Sequence, residues 1–378
     1  MKGVERILVT IGMGDIVGAL SSENLNWADF HTLLLHILEK KIGHISSAEI
    51  MRNYTKNRFS IVGDIAPRDL VEIDRMFFGI LPGYFSAVEL SPVNPIGANA
   101  TLTTLDPKVV LSTIRNVEVV GDPSMALAIE CAYRRRSKSS SQENPEVHLA
   151  TSHRVLRLQN FPKDSELTPH FRAFALTSSA RDTTGFNKFE LTSLLVHLEI
   201  WLNFLMQSAS LGYGTRNISV ALSHIGIVEE LISEGRISRE EVVRGGKGGT
   251  FNLLSACSID LPNQIDHAGE IPDKYSGLET YIRELQFTER QIIDSLRSKY
   301  PHVHFYFDLA RSSGLGYYSG LCYRLAAQNV AGGRYPLAGG GACDWTKKLL
   351  NNGKEHLIAG GFGTELFSRL FKETQQSL

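Results

Sequence analysis

Glycine crowds the last third of this sequence. There are 33 glycines in 378 residues, and between Gly314 and Gly363 they recur in three runs, GLGYYSG, AGGRYPLAGGG and IAGGFGTE. They stand among apolar and aromatic residues, so these runs are not a low-complexity linker. Glycines in such company serve tight turns, or let a backbone come close to a ligand inside a sheet.

The rest of the composition sets the class. Hydrophobic residues make up 43% and charged residues 21%, with 39 Lys+Arg against 40 Asp+Glu, which excludes a disordered or fibrous chain. The length suits one large α/β domain with an insertion. A net charge of -1 gives no global positive field of the kind dedicated nucleic-acid binders use. Cys131, Cys257, Cys322 and Cys343 are too far apart for a C-x-x-C pair and too few for a disulfide framework, so a reducing cytoplasm is expected. The start, MKGVERILVTIGMGD, has neither the pattern of a secretory signal nor that of an anchor. Leu191 to Met206 carries His197, Glu199 and Asn203, which suits an amphipathic helix and predicts no membrane role.

The periodicity predicts a strand at Ile7–Ile11, then helices at Trp27–Lys41, Arg68–Phe78 and Met125–Arg136. Tyr84 to Val120 reads as strands and turns, punctuated by Pro92, Pro95 and Gly97. Strands are expected at Val147–Ala150, Arg154–Leu158 and Phe171–Leu176. A long helix then covers Leu191–Met206, followed by a strand at Ile218–Leu222 and a helix at Ile225–Glu234. Ser238 to Asp273 reads as an insertion or mobile loop. A helix at Leu278–Lys299, a strand at Val303–Phe307, the glycine-rich strands and a helix near Glu365–Glu373 complete the chain. Hairpins interleaved with non-alternating helices predict an α+β fold, an antiparallel sheet backed by helices.

Two phosphate loops fail on spacing. Gly12, Gly14 and Gly18 give G-x-G-x-x-x-G, one residue off the dinucleotide fingerprint, and Lys247 in GGKGGT is followed by glycine instead of Ser or Thr. His153, His170 and His224 lack metal-like spacing, so no metal site is assigned. The run YRRRSK reads as a solvated helix end.

The strongest signal is FYFDLARSSGLGYYSG, Phe305 to Gly320, with Asp308 at a strand end and the pair Tyr317 and Tyr318 beyond Gly314. This resembles the histidine-recognition segment of histidyl-tRNA synthetases. AGGRY, with Gly332 and Gly333, is similar to that family's glycine-arginine-tyrosine turn, and AGGFGTELFSRLF (residues 359–371) to its third class II motif. HRVLRLQ, with Arg157 and Gln159, resembles the second motif, whose arginine holds the ATP α-phosphate. HFRAF, with Phe171 and Phe174, resembles the returning strand, where an aromatic ring stacks on adenine. GDPS resembles the element that binds the amino acid's α-amino group, with Asp122 and Ser124 as acceptors. Carboxylate plus hydroxyl suits an ammonium, and arginine on a strand suits a phosphate.

The resemblance implies a class II synthetase core with a sheet of six to eight antiparallel strands. Its divisions are an N-terminal helical extension (1–64), a first core part (65–235), the insertion (236–275) and a C-terminal core part (276–378). Arg68 to Gly97 would be the dimer-forming first motif, which implies a homodimer. On this reading Arg157 and Arg311 are catalytic. Arg157, Gln159, Phe174 and Arg369 bind ATP with Mg²⁺, and Asp122, Ser124, Asp308, Tyr317, Tyr318, Gly332 and Gly333 bind a small-molecule amino acid. The sequence departs from the family at Ser313 and Leu366, which stand where arginines are expected, and at Gly316, which stands for an Asp; Arg311 and Arg369 are the nearest substitutes. The sequence ends at the third motif, so an anticodon-binding domain, and with it ordinary tRNA charging, is not expected. Two functions stay open. One is adenylation of an amino acid for an unidentified acceptor. The other is a non-catalytic binding subunit resembling the regulatory subunit of ATP phosphoribosyltransferase.

Overall fold

The computed structural model describes residues 2–13, 15–103, 107–112, 115–138, 146–160, 166–181, 188–248, 252–271 and 277–373. Its strands in chain order are β1 (Ser86–Ala87), β2 (Val93–Pro95), β3 (Val117–Val119), β4 (Val147–Leu156), β5 (His170–Arg181), β6 (Thr215–His224), β7 (Gln264–Ile265), β8 (His304–Asp308), β9 (Leu321–Asn329), β10 (Arg334–Cys343) and β11 (Glu355–Phe362). Nine of them form one sheet in the order β1-β4-β5-β11-β10-β9-β6-β8-β7, and β2 pairs with β3 apart from it. The expected six to eight strands are thus exceeded by the edge strands β1 and β7, each two residues long and too short to leave a periodic signal. The sheet is mostly antiparallel, with parallel pairing of β1 to β4 and of β6 to β8.

Three further expectations are corrected. Ile7–Ile11 belongs to the helix Lys2–Ile11, not to a strand; Val4, Ile7 and Leu8 already carry the i, i+3, i+4 spacing of a helix. The two strands expected at 147–150 and 154–158 are one, because His153 continues the pairing, opposite Ala173. Of the two readings of the segment expected as an insertion or mobile loop, the loop is the one corrected: it holds the helices Arg239–Gly248 and Leu253–Ala256 as well as β7, which closes one sheet edge. Residues 249–251 and 272–276 of that segment lie outside the described residues.

Side chains alternate between the two faces of each strand, and cross-strand partners share a face. Phe174, Phe362 and Tyr323 point to the face covered by the helices Pro67–Ile80 and Lys188–Ser208, where they form a buried cluster with Phe77, Trp201 and Phe204. Lys188–Ser208 is the apolar helix anticipated from 191–206, and its middle is buried against this sheet. On the opposite face the helix Pro123–Lys138 sets Leu127 and Cys131 against Leu149 and Ala175. That helix is tied to β11 by a buried ion pair, Arg135 Nε to Glu355 Oε2 at 2.5 Å. Breaking such a pair strands a charge away from water, so the helix and its first residues are held in one place.

The sheet is thin where β9, β10 and β11 cross. Gly339 pairs with Gly361 and Gly340 with Gly360. A Cβ on Gly340 would lie 2.5 Å from Tyr323 Oη, and one on Gly360 2.6 Å from the same atom. Those two glycines make room for the Tyr323 hydroxyl, which accepts from Trp201 Nε1 at 2.7 Å. Gly339 and Gly361, of opposite parity, face the other side.

Candidate functional site

On that other side lies a cleft of about 510 Å³, floored by Gly339 and Gly361 and walled by Asp122, Arg157, Arg311 and Tyr317, among others. Five pieces of chain build it: Thr103 at the end of the short helix Ala98–Leu102, the start of the helix Pro123–Lys138, the ends of β4 and β5, the loop from β8 to β9, and the glycine floor.

The loop's conformation explains its sequence. Gly314 and Gly316 take φ of +99° and +75°, values that side chains disfavour. A Cβ on Gly314 would also lie 2.5 Å from the Tyr318 ring. The turn closes with Tyr317 N and Tyr318 N both donating to Gly314 O at 3.0 Å, and this brings both tyrosines inward.

Tyr317 Oη donates to Asp122 Oδ2 at 2.7 Å. Ser124 donates to Asp122 Oδ1 through Oγ at 2.6 Å and through its backbone N at 2.9 Å. The two hydroxyl oxygens are 3.1 Å apart. Burial, then the Asp122 charge, push the Tyr317 phenol well above its ordinary pKa, so it stays protonated and donating. With both protons committed to the carboxylate, the hydroxyls and Asp122 present lone pairs to a ligand. Such a corner receives a donor, and a positive charge best of all.

A cation stands in the same cleft. Arg311 is 8% exposed, and its Nε donates to Ser313 O at 3.0 Å. Its guanidinium lies 5.3 Å from the centre of the Tyr318 ring. Its Nη1 is buried and has no hydrogen-bond partner among the described residues, and a buried charged donor left unmatched is costly unless a ligand completes it. Arg157 is the second cation: its Nε donates to Gly121 O at 2.9 Å, and its guanidinium lies 5.4 Å from the Phe171 ring centre.

No protein-family model matches the sequence, and no curated protein matches it. Among solved structures the chain is similar to an ATP phosphoribosyltransferase regulatory subunit/histidyl-tRNA synthetase from Bacillus halodurans, with a TM-score of 0.62 and 15% identity over 83% of this chain and 82% of that one. A histidine–tRNA ligase subunit from Alicyclobacillus acidocaldarius gives 0.56 and 14% over 81% and 94%. Histidyl-tRNA synthetase from a Nostoc species gives 0.53 and 14% over 81% and 72%. The fold is that of a class II synthetase core.

Within this class II core the sequence-derived residues divide in two. Asp122, Ser124, Arg157, Arg311, Tyr317 and Tyr318 meet at the cleft. The other six lie away from its lining. Phe174 is fully buried on the helix-covered face, stacked on Phe77 at 4.5 Å, so it does not stack on a nucleotide; Phe171, of opposite parity, is the ring at the cleft. Arg369 is paired with Glu166 at 2.9 Å. Gln159 uses its backbone carbonyl to accept from Arg58 Nη2 at 3.0 Å. Gly332 and Gly333 form the turn between β9 and β10, where Gly332 has φ of +89°. They are six or more residues from the floor at Gly339, roughly 20 Å along an extended strand. Asp308 is held by Ala310 N at 3.2 Å and by Arg324 at 3.6 Å, and burial raises its pKa. Phe171, named in HFRAF beside Phe174, and the floor glycines Gly339 and Gly361 are among the lining residues to which the resemblance gives no binding role; strand parity is the signal that finds them.

Proposed function

We propose that this protein binds a free α-amino acid in the cleft and acts as a ligand-binding subunit, not as an adenylate-forming enzyme. The observation that carries this reading is the pairing of an acceptor-only corner, Asp122 with Ser124 and Tyr317, with the partnerless Nη1 of Arg311 in one cleft. An ammonium at the first and a carboxylate at the second satisfy both, and a zwitterion supplies the two together.

Mg²⁺ and ATP fit these residues poorly. Among the described residues Asp122 is the one carboxylate in the lining, and it is already engaged by three donors. Two of the four residues expected to bind ATP, Phe174 and Arg369, are committed elsewhere. Leu366 supplies no charge where the resemblance calls for an arginine. No adenylation step is therefore derived. The placement of Arg157 beside Phe171 is what favours the adenylating reading.

Calorimetry with a panel of amino acids, paired with amino-acid-dependent pyrophosphate exchange, separates the two. Saturable binding of an amino acid without exchange is expected. Exchange with any amino acid overturns the binding-subunit reading, and absence of binding across the panel overturns the assignment of the cleft.

A further inference from the structure

A run of contacts orders the charges across the cleft. The Arg311 guanidinium lies 5.3 Å from the Tyr318 ring centre, the Tyr318 and Tyr317 rings meet edge to face at 4.9 Å, and Tyr317 Oη donates to Asp122 at 2.7 Å. On the other side of Asp122, the Gly121 carbonyl accepts from Arg157 Nε at 2.9 Å. Peptide geometry alone keeps that oxygen within about 3 Å of the Asp122 Cα. The corner that receives an ammonium therefore lies between two cations.

Among the described residues, the lining holds these two guanidiniums against the single carboxylate of Asp122. Asp308, whose carboxyl also feels the charge of Arg311, is paired to Arg324 at 3.6 Å. An amino acid with a neutral side chain brings one positive and one negative charge. It satisfies Asp122 and Arg311 and leaves the charge of Arg157 uncompensated, whereas a second carboxylate on the ligand closes the balance. Resting on the assignment of the cleft to an amino acid, we infer that the ligand is a dicarboxylic α-amino acid of the aspartate and glutamate class, its side-chain carboxylate held by Arg157. That guanidinium is half-buried beside the Phe171 ring, which keeps water from one side of it. Its Nε is used on Gly121 O, and no described residue takes Nη1 or Nη2, the donor pair that suits a carboxylate. Ala173, on the same strand face as Phe171, offers no side-chain hydrogen bond to a neutral polar side chain. Arg157 thus has an occupant without ATP.

Calorimetry of the full chain with the twenty amino acids tests this. Aspartate or glutamate is expected to bind about tenfold or more tightly than its own side-chain amide, and than histidine. In Arg157→Met the ratio of acid to amide is expected to fall to near one while the amide keeps its affinity, which shows that the cleft is still formed. The wild-type panel needs no variant, so it stays decisive even where Arg157→Met fails to fold. A neutral or basic amino acid that binds more tightly than both acids overturns the inference and leaves the amino-acid assignment of the cleft standing. Absence of binding across the panel overturns both. A ratio of acid to amide that survives in folded Arg157→Met also overturns the inference, because the second carboxylate would then be held elsewhere.

Discussion

Asp122→Asn isolates charge from shape at the centre of the cleft. The buried carboxylate accepts from Ser124 N at 2.9 Å, Ser124 Oγ at 2.6 Å and Tyr317 Oη at 2.7 Å. Asparagine can keep the two Ser124 bonds at its single oxygen, but it turns an amide NH₂ toward Tyr317, whose hydroxyl must then give up its role as donor. Hydrogen bonds to a charged partner contribute about 1.5–3 kcal/mol each, against about 1 kcal/mol for neutral ones, so the free protein should lose about 2–3 kcal/mol of stability. A bound ammonium would lose a further charge contact of about 2 kcal/mol, about thirtyfold in affinity. The assay is calorimetry of both proteins with the preferred amino acid and with its des-amino analogue, which keeps the carboxylate and the side chain. The wild type should prefer the amino acid, and in Asp122→Asn that preference should collapse to near unity. A preference that survives the substitution refutes the amine assignment. Equal losses for both ligands would mean that Asp122 merely holds Tyr317 in position.

Arg311→Met should weaken amino-acid binding by about tenfold or more while leaving binding of the amino-acid amide nearly unchanged, because only the carboxylate needs the Nη1 donor; calorimetry with the acid and the amide checks this. His197 is buried with its pKa pushed down to about 3, by burial first and then by His148. Below the unfolded value of about 6.5 the unfolded chain takes a proton that the folded chain refuses, so stability falls by about 1.4 kcal/mol per pH unit as pH drops. Between pH values of about 6.5 and 5 this amounts to about 2 kcal/mol, which urea titrations should show shrinking by that amount in His197→Leu. Gly340→Ala should cost about 2–4 kcal/mol in the same titration, since its Cβ would lie 2.7 Å from the Ala359 carbonyl oxygen as well as 2.5 Å from Tyr323 Oη; the backbone contact means that Tyr323→Phe should not rescue it. Gly339→Ala meets nothing nearer than 3.6 Å and should fold normally yet lose amino-acid affinity, because its methyl group enters the cleft.

What the sequence made legible is what is settled within a few residues. The Gly314 to Tyr318 turn could be read because the conformation that turns both tyrosines inward is encoded by Gly314 and Gly316 themselves. Asp122 and Ser124 could be read for the same reason: the carboxylate, Ser124 N and Ser124 Oγ meet within three residues at a helix start. Parity across strands is another matter. HFRAF holds two phenylalanines three residues apart, which on a strand puts them on opposite faces, and nothing within the segment says which face carries the ligand. The answer comes from pairings across more than 180 residues, Phe174 with Phe362 and Ala175 with Gly361. Gly361 in turn opposes Gly339, so once Gly339 is known to lack neighbours that its Cβ would strike, the faces of β10, β11, β5 and β4 follow together. Phe171 and Ala173 then join the cleft, while Phe174 and Ser152 are directed to the helices, where Ser152 Oγ donates to Asp74 at 2.6 Å. The glycine runs hold this information already, in the contrast between Gly340, which must yield to Tyr323, and Gly339, which need not. That contrast depends on Tyr323 and Trp201, residues that no motif around the cleft contains.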